Sequence, residues 1–132
     1  MARIQVKRVY AEASPQDGAR VLVDRIWPRG LTKEAASLTA WIKDVAPSTA
    51  LRKWYNHDPA RFADFKDRYR QELAEPARQQ ALRQLHWLAA AGPVTLLTAS
   101  KDIAHSNAAV LAEMLSEPTS GANFGEAGPN PR

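Results

Sequence analysis

The chain has 132 residues, of which 45% are hydrophobic and 24% charged, and this size and composition are ordinary for one globular domain. It contains no cysteine, which excludes disulfides, thiolate metal sites, iron–sulfur clusters and thiol nucleophiles. The formal net charge is +4, and the whole excess lies in residues 1–33, where seven basic residues stand against three acidic ones.

The first predicted elements are two strands. Residues 4–10 alternate polar and apolar side chains, which is typical of a strand with one wetter face. A turn cluster at 14–18 precedes an apolar run over 21–26, which favours a strand buried on both faces of a parallel sheet. We expect the two strands to be parallel, although the short link between them would also allow an antiparallel pair.

Helical patterns follow the second strand. Apolar spacing over 38–45 predicts a helix that ends before Pro47. Asp58 and Pro59 predict the start of a helix that carries an aromatic stripe on one side. A further long helix begins near Pro76, and the Gly–Pro pair that follows Ala91 ends it.

The last predicted elements are a third strand over 94–98 and a helix that Asp102 caps. Six of the fifteen residues in 118–132 are Gly or Pro, which predicts a disordered tail. The order of elements predicts one compact α/β domain over 1–117, with a small, mostly parallel sheet of three or more strands flanked by helices. No apolar run approaches the roughly 18–20 residues that span a bilayer, so we expect a cytoplasmic protein without a membrane partner.

Polar residues follow two of the predicted strands, and ligands of parallel α/β sheets bind at the carboxyl ends of the strands. If the two strands are neighbours, their loops share one crevice. Arginine and lysine side chains and the first amides of the last helix would hold a phosphate or carboxylate there. The predicted ligand-binding residues are Arg25, Trp27, Arg29, Ser100, Lys101 and Asp102.

Three residues are candidates for proton transfer in that crevice: Asp24, His57 and His105. We expect nearby cations to lower the pKa of Asp24. The alternative for Asp24 and Arg25 is a purely structural ion pair. For Trp27 we favour a loop anchor over a stacking platform for a ligand.

The sequence does not predict a metal site, since the spacing of the three histidines matches no zinc or haem signature. It also lacks the glycine-rich phosphate-binding motifs and the serine-hydrolase elbow. No cofactor is therefore identified, and neither an enzymatic activity nor an oligomeric state is assigned.

Five ordered segments carry a resemblance to a known family: KRVY at 7–10, DGARVLVDRIWPRGL at 17–31, WIKDVAPSTALRKWY at 41–55, FKDRYRQEL at 65–73 and VTLLTASKD at 94–102. Over about residues 3–116 the chain resembles the YeaO-like branch of the domain of unknown function 488 (DUF488) family. The resemblance implies a compact α/β domain and no particular reaction. It maps the family's recurring polar positions onto Arg8, Asp24, Arg25, Arg29, Lys53, Lys101 and Asp102. Similar proteins often open the last helix with Asn–His, where this chain has Ser106–Asn107.

Three hypotheses of function follow. The first is an enzyme or a small-ligand protein that binds a phosphate- or carboxylate-bearing compound at the carboxyl ends of its strands. The second is an interaction protein without a catalytic site, whose charged loops only support the fold. The third is a weak nucleic-acid-binding module that uses the basic first quarter of the chain, and the neutral remainder of the chain makes it the least favoured.

Overall fold

A computed structural model describes residues 3–117, in which four strands form one sheet. The strands are β1 (Ile4–Arg8), β2 (Ala19–Leu22), β3 (Ala40–Trp41) and β4 (Val94–Thr98), in the order β1-β4-β2-β3. All neighbouring strands are parallel, so their carboxyl ends lie at one edge of the sheet. The α/β class and the parallel relation of the first two strands are confirmed, with β4 lying between those two strands.

Five α-helices accompany the sheet in the described part of the chain, together with short 3-10 turns. They are α1 (Lys33–Ala36), α2 (Thr49–Tyr55), α3 (Phe62–Leu73), α4 (Pro76–Ala91) and α5 (Asn107–Ser116). The predicted aromatic stripe is confirmed, because α3 buries Phe65, Tyr69 and Leu73 in the main core. No helix within residues 3–117 has the length and apolar character needed to cross a membrane. The predicted disordered tail, 118–132, lies outside the described residues.

A buried ion pair fixes the link between β1 and β2. This link contains a 3-10 turn, Pro15–Asp17, and the Asp17 carboxylate accepts hydrogen bonds from Arg20 Nη1 at 2.6 Å and from Lys7 Nζ at 3.0 Å. Burial alone would raise the pKa of Asp17, but the hydrogen bonds from Lys7, the Ser14 amide and Arg20 together lower it. Two of the seven cations of the basic first quarter are therefore engaged by a carboxylate within the fold.

The helix predicted over 38–45 is wrong. Residues 40–41 form strand β3, and a 3-10 turn, Lys43–Val45, follows it. The Ile42 amide donates to the Leu22 carbonyl at 3.0 Å, and the Thr39 amide donates to the Arg20 carbonyl at 2.8 Å. The edge of β2 supplies these backbone partners to residues 39–42. The apolar spacing over 38–45 is typical of a helix and does not reveal partners that are distant in sequence.

The cap predicted for the last helix is also wrong. Asp102 precedes a 3-10 turn, Ile103–His105, and makes no capping hydrogen bond. Helix α5 starts four residues later than that cap would place it, where the Ser106 side chain accepts a hydrogen bond from the Ala109 amide at 3.2 Å. The carboxylate of Asp102 instead contacts His105 Nδ1 at 2.8 Å.

This difference predicts unequal effects of two alanine substitutions on stability. Ser106→Ala removes the partner of a helix-terminal amide and should lower the free energy of unfolding by about 1 kcal/mol. Asp102→Ala removes only an exposed contact with His105 and should change it by less than about 0.5 kcal/mol. Urea denaturation of the two variants measures the difference, and a larger loss for Asp102→Ala would contradict the observed cap.

Candidate functional site

A cleft of about 620 Å³ opens at the carboxyl edge of the sheet. Its walls are the loop that follows β2, the loop that follows β4, helix α2 with the residues after it, and the start of α5. Because β2 and β4 are neighbouring parallel strands, their loops leave the sheet side by side. The crevice that the sequence predicts therefore exists in the fold.

Four cationic side chains line this cleft. Arg25 and Arg29 lie on the loop after β2, which ends at Leu22 and so is shorter than the predicted strand, and Arg52 and Lys53 lie on α2. Among the ion pairs of residues 3–117, none involves these four side chains. The four charges therefore face the cleft without a carboxylate partner within 4.0 Å.

Arg25 has few partners in the protein. Its Nη2 donates to the Ala46 carbonyl at 3.4 Å, and its Nε is buried without an acceptor in the described part of the chain. Arg29 is exposed at the cleft rim, and its backbone carbonyl accepts a hydrogen bond from the Tyr10 hydroxyl at 2.9 Å. That bond ties the loop after β2 to the end of β1. A guanidinium offers five N–H donors, so most of those on Arg25 are available to a ligand.

Asp24 is held at the cleft by the end of β4. Its carboxylate accepts hydrogen bonds from Thr98 Oγ1 at 2.9 Å and from the Ala99 amide at 2.8 Å. The ion pair between Asp24 and Arg25 that was the structural alternative is absent from residues 3–117, and the hydrogen bonds to the end of β4 hold Asp24 instead.

The predicted direction of the Asp24 pKa shift is wrong. Burial raises the pKa of Asp24, and it outweighs the opposing hydrogen bonds from the Ala99 amide, Thr98 and Asn107 and the attraction of Arg52. The sequence shows the neighbouring cations but not the loss of hydration, which disfavours the charged form of a carboxyl group.

Trp27 lines the cleft and also anchors its wall. The indole Nε1 donates to the Leu31 carbonyl at 2.7 Å, and the ring packs edge-on against Trp41, with 5.4 Å between centroids. Trp41 in turn donates from its Nε1 to the Asp24 carbonyl at 2.7 Å. These contacts anchor the loop and hold the segment that carries Asp24 and Arg25, and a contact of Trp27 with a ligand stays a prediction.

The two candidate histidines of the cleft differ in surroundings. His57 is exposed and has a φ of 54°, directly after Asn56 with a φ of 49°, so two residues without the freedom of glycine adopt the left-handed region. His105 contacts Asp102 through Nδ1, and its ring packs edge-on against Phe62 at 5.1 Å. Both histidines line the cleft, but no hydrogen bond joins either one to Asp24 within residues 3–117.

The cleft contains seven of the nine predicted site residues. The residues that line it are Asp24, Arg25, Trp27, Arg29, His57, Ser100 and His105, whereas Lys101 and Asp102 do not line it. Residue spacing did not single out Arg52 or Asn107, and Lys53 entered only through the family resemblance. Their position depends on the packing of α2 and on the start of α5. No cluster of three or more potential metal ligands occurs among the described residues.

Comparisons with known proteins give similarity over most of the chain. The family model described as "Inactive DUF488-N3 subclade" matches residues 3–130. Uncharacterized proteins of Mycobacterium tuberculosis and Mycobacterium bovis are 50% identical to the chain over 113 residues, which is 86% of this chain and 93% of each relative. The uncharacterized protein YeaO of Escherichia coli is 42% identical over 112 residues, which is 85% of this chain and 96% of that protein. No solved structure matches the chain.

Proposed function

Because this chain belongs to the YeaO-like DUF488 family, in the subclade described as inactive, we propose that it binds a small anionic ligand in the cleft and does not transform it. The ligand carries a phosphate or a carboxylate group. The observation that carries the proposal is the set of four cations that line one cleft without carboxylate partners: Arg25, Arg29, Arg52 and Lys53.

Electrostatics supports this proposal. Cations that converge on a concave surface repel one another, and an anion between them relieves that repulsion. Arginine matches phosphate and carboxylate oxygens with two parallel hydrogen bonds, which favours a small oxyanion over a neutral ligand. The only hydrogen bond of the Arg25 guanidinium within residues 3–117 is a long one, from Nη2 to the Ala46 carbonyl at 3.4 Å, which leaves the terminal nitrogens of Arg25 with donors for such a ligand.

The cleft composition and the family description favour binding over catalysis. Asp24, His57 and His105 were the candidates for proton transfer, but no hydrogen bond joins either histidine to Asp24 within residues 3–117. The subclade is described as inactive, which agrees with a site whose cationic residues bind a ligand without catalysing a reaction.

The basic first quarter gives less support to a nucleic-acid interface. Lys7 and Arg20 are engaged by Asp17, and Arg8 packs its guanidinium over the Tyr10 ring at 5.0 Å. Fewer cations are therefore free there than the charge count suggests, although an extended polyanion remains an outcome to be tested.

Calorimetric titration with inorganic phosphate, glycerol phosphate, succinate and a short DNA duplex tests the proposal. We expect at least one small anion to bind, and we expect Arg25→Ala and Arg29→Ala each to weaken it about 10- to 100-fold, since each removes hydrogen bonds between charged groups. Arg83→Ala is the matched control, because Arg83 is exposed on α4 and does not line the cleft. Lys101→Ala should also leave the affinity unchanged.

Three outcomes decide against the proposal. Equal weakening by Arg25→Ala and Arg83→Ala would indicate non-specific attraction to a basic protein. Binding of DNA alone, abolished by moderate salt, would favour the nucleic-acid alternative. Chemical conversion of the bound anion, detected by NMR after prolonged incubation with the protein, would show an enzymatic activity instead.

A further inference from the structure

The cleft contains a single carboxylate among its described lining residues, that of Asp24. A carboxylate opposes the binding of an anion, because like charges repel at short range. Its position is nevertheless fixed by the fold: Thr98 Oγ1 donates to both of its oxygens, at 2.9 and 3.2 Å, and the Ala99 amide donates to Oδ2 at 2.8 Å. The side chain therefore cannot turn away from the cleft without losing these bonds.

The hydrogen bonds of Asp24 leave it with spare acceptor capacity. A carboxylate accepts about four hydrogen bonds, and the protein supplies three donors: Thr98 Oγ1, the Ala99 amide and the side chain of Asn107. Burial also raises the pKa of this carboxyl group, which indicates that its charge is poorly hydrated. A donor group on a bound ligand would occupy the remaining acceptor position and offset the repulsion.

We propose that the ligand carries a hydroxyl or amino group close to its anionic group, and that Asp24 accepts a hydrogen bond from that donor while the cations hold the anion. This inference rests on the proposed function. It restricts the ligand to phosphate esters and carboxylic acids that carry a hydroxyl or amino group. Asp24 then favours these compounds over the parent compounds that lack such a group.

Two matched series of probes test the inference. Succinate, malate and aspartate share one carbon skeleton and differ by a hydrogen, a hydroxyl or an ammonium group at one carbon. Ethyl phosphate, hydroxyethyl phosphate and aminoethyl phosphate form the corresponding phosphate series. We expect a donor-bearing member of one series to bind wild type about tenfold or more tightly than its parent, since a hydrogen bond to a charged group has about that effect.

The variant Asp24→Asn connects this preference to Asp24. Asparagine keeps one oxygen for Thr98 and the Ala99 amide, but it turns an amide donor toward the ligand and removes the negative charge. The preference for the donor-bearing probe should disappear, and the plain parent should bind more tightly than it does to wild type. Asp67→Asn is the control, because Asp67 is an exposed residue of α3 outside the cleft and its substitution makes the same change in net charge.

The outcomes separate this inference from the proposed function. If the parents bind wild type as tightly as their donor-bearing partners, the inference is overturned and anion binding stands. Retention of the preference in Asp24→Asn also overturns it. If none of the six probes binds wild type, the inference fails, and if inorganic phosphate and glycerol phosphate do not bind either, the proposed function fails with it. Two of these outcomes, equal binding of parents and donor-bearing partners and the absence of binding, are measured on wild type. They are therefore decided even if Asp24→Asn does not fold.

Discussion

Asp17→Asn should lower the free energy of unfolding by about 3–5 kcal/mol, because it removes the charge that compensates a buried guanidinium. The side chains of Asp17 and Arg20 are 2% and 5% exposed, and their closest atoms are 2.6 Å apart. Arg20 would keep its bonds to the Ala36 carbonyl, at 3.0 Å, but no anion would remain beside it. Chemical denaturation with a two-state fit measures the loss, which is large for a domain of this size.

Two comparisons identify the cause of that loss. Glu75→Gln breaks an ion pair with Arg78, at 3.5 Å, in which the Glu75 side chain is 60% exposed, and should change the free energy of unfolding by less than about 1 kcal/mol. The double variant Asp17→Asn with Arg20→Gln should lose less than the sum of the two single losses, because neither buried charge remains. A loss for Asp17→Asn as small as that for Glu75→Gln would contradict this explanation.

The same carboxylate predicts a dependence of stability on pH. The pKa of Asp17 is lower in the folded protein than its ordinary value of 3.8, so the unfolded chain binds the proton more tightly. Its contribution to stability is therefore complete well above pH 3.8 and is lost as the pH falls through the lowered pKa. Below about pH 4, wild type should lose stability faster than Asp17→Asn, which lacks this titration, and parallel curves for the two proteins would contradict the assignment.

Gly18→Ala should lower the free energy of unfolding by roughly 3–5 kcal/mol, through backbone strain and overpacking together. Gly18 has a φ of 63°, and a Cβ atom built on it would lie 2.2 Å from the Pro93 carbonyl oxygen. That carbonyl accepts a hydrogen bond from the Ala19 amide at 3.0 Å, so the start of β2 cannot withdraw without breaking the contact.

Gly30 provides the matched control for Gly18. Its φ is 76°, and no heavy atom lies within 4 Å of a Cβ atom built on it. Gly30→Ala should therefore show only the strain of a left-handed residue, about 1–2 kcal/mol. Thermal and urea unfolding of both variants measure the difference, and equal losses would show that the close approach to Pro93 relaxes freely.

Local sequence patterns predicted the elements whose capping residues and apolar periodicity lie within the element itself. Asp58 and Pro59 start a 3-10 turn that leads into α3 at Phe62, three residues after the predicted helix start. This turn, the aromatic stripe of α3 and the end of α4 before Gly92 follow from capping, side-chain periodicity and backbone freedom. Strand β3 did not follow from them, because its hydrogen-bond partners belong to β2 and are distant in sequence. The start of α5 was misplaced since Asp102 and Ser106 are both acceptable caps, and only the path of the chain selects between them.

The sequence by itself determined the α/β class, the parallel sheet and the polar loops that follow β2 and β4. Tertiary structure alone decided which charges remain available to a ligand. It pairs Lys7 and Arg20 with Asp17, places Arg52 in the same cleft as Arg25, and buries Asp24 enough to reverse the expected direction of its pKa shift. The physical reason is that charge interactions depend on distance and on hydration, and neither quantity is fixed until the chain has packed.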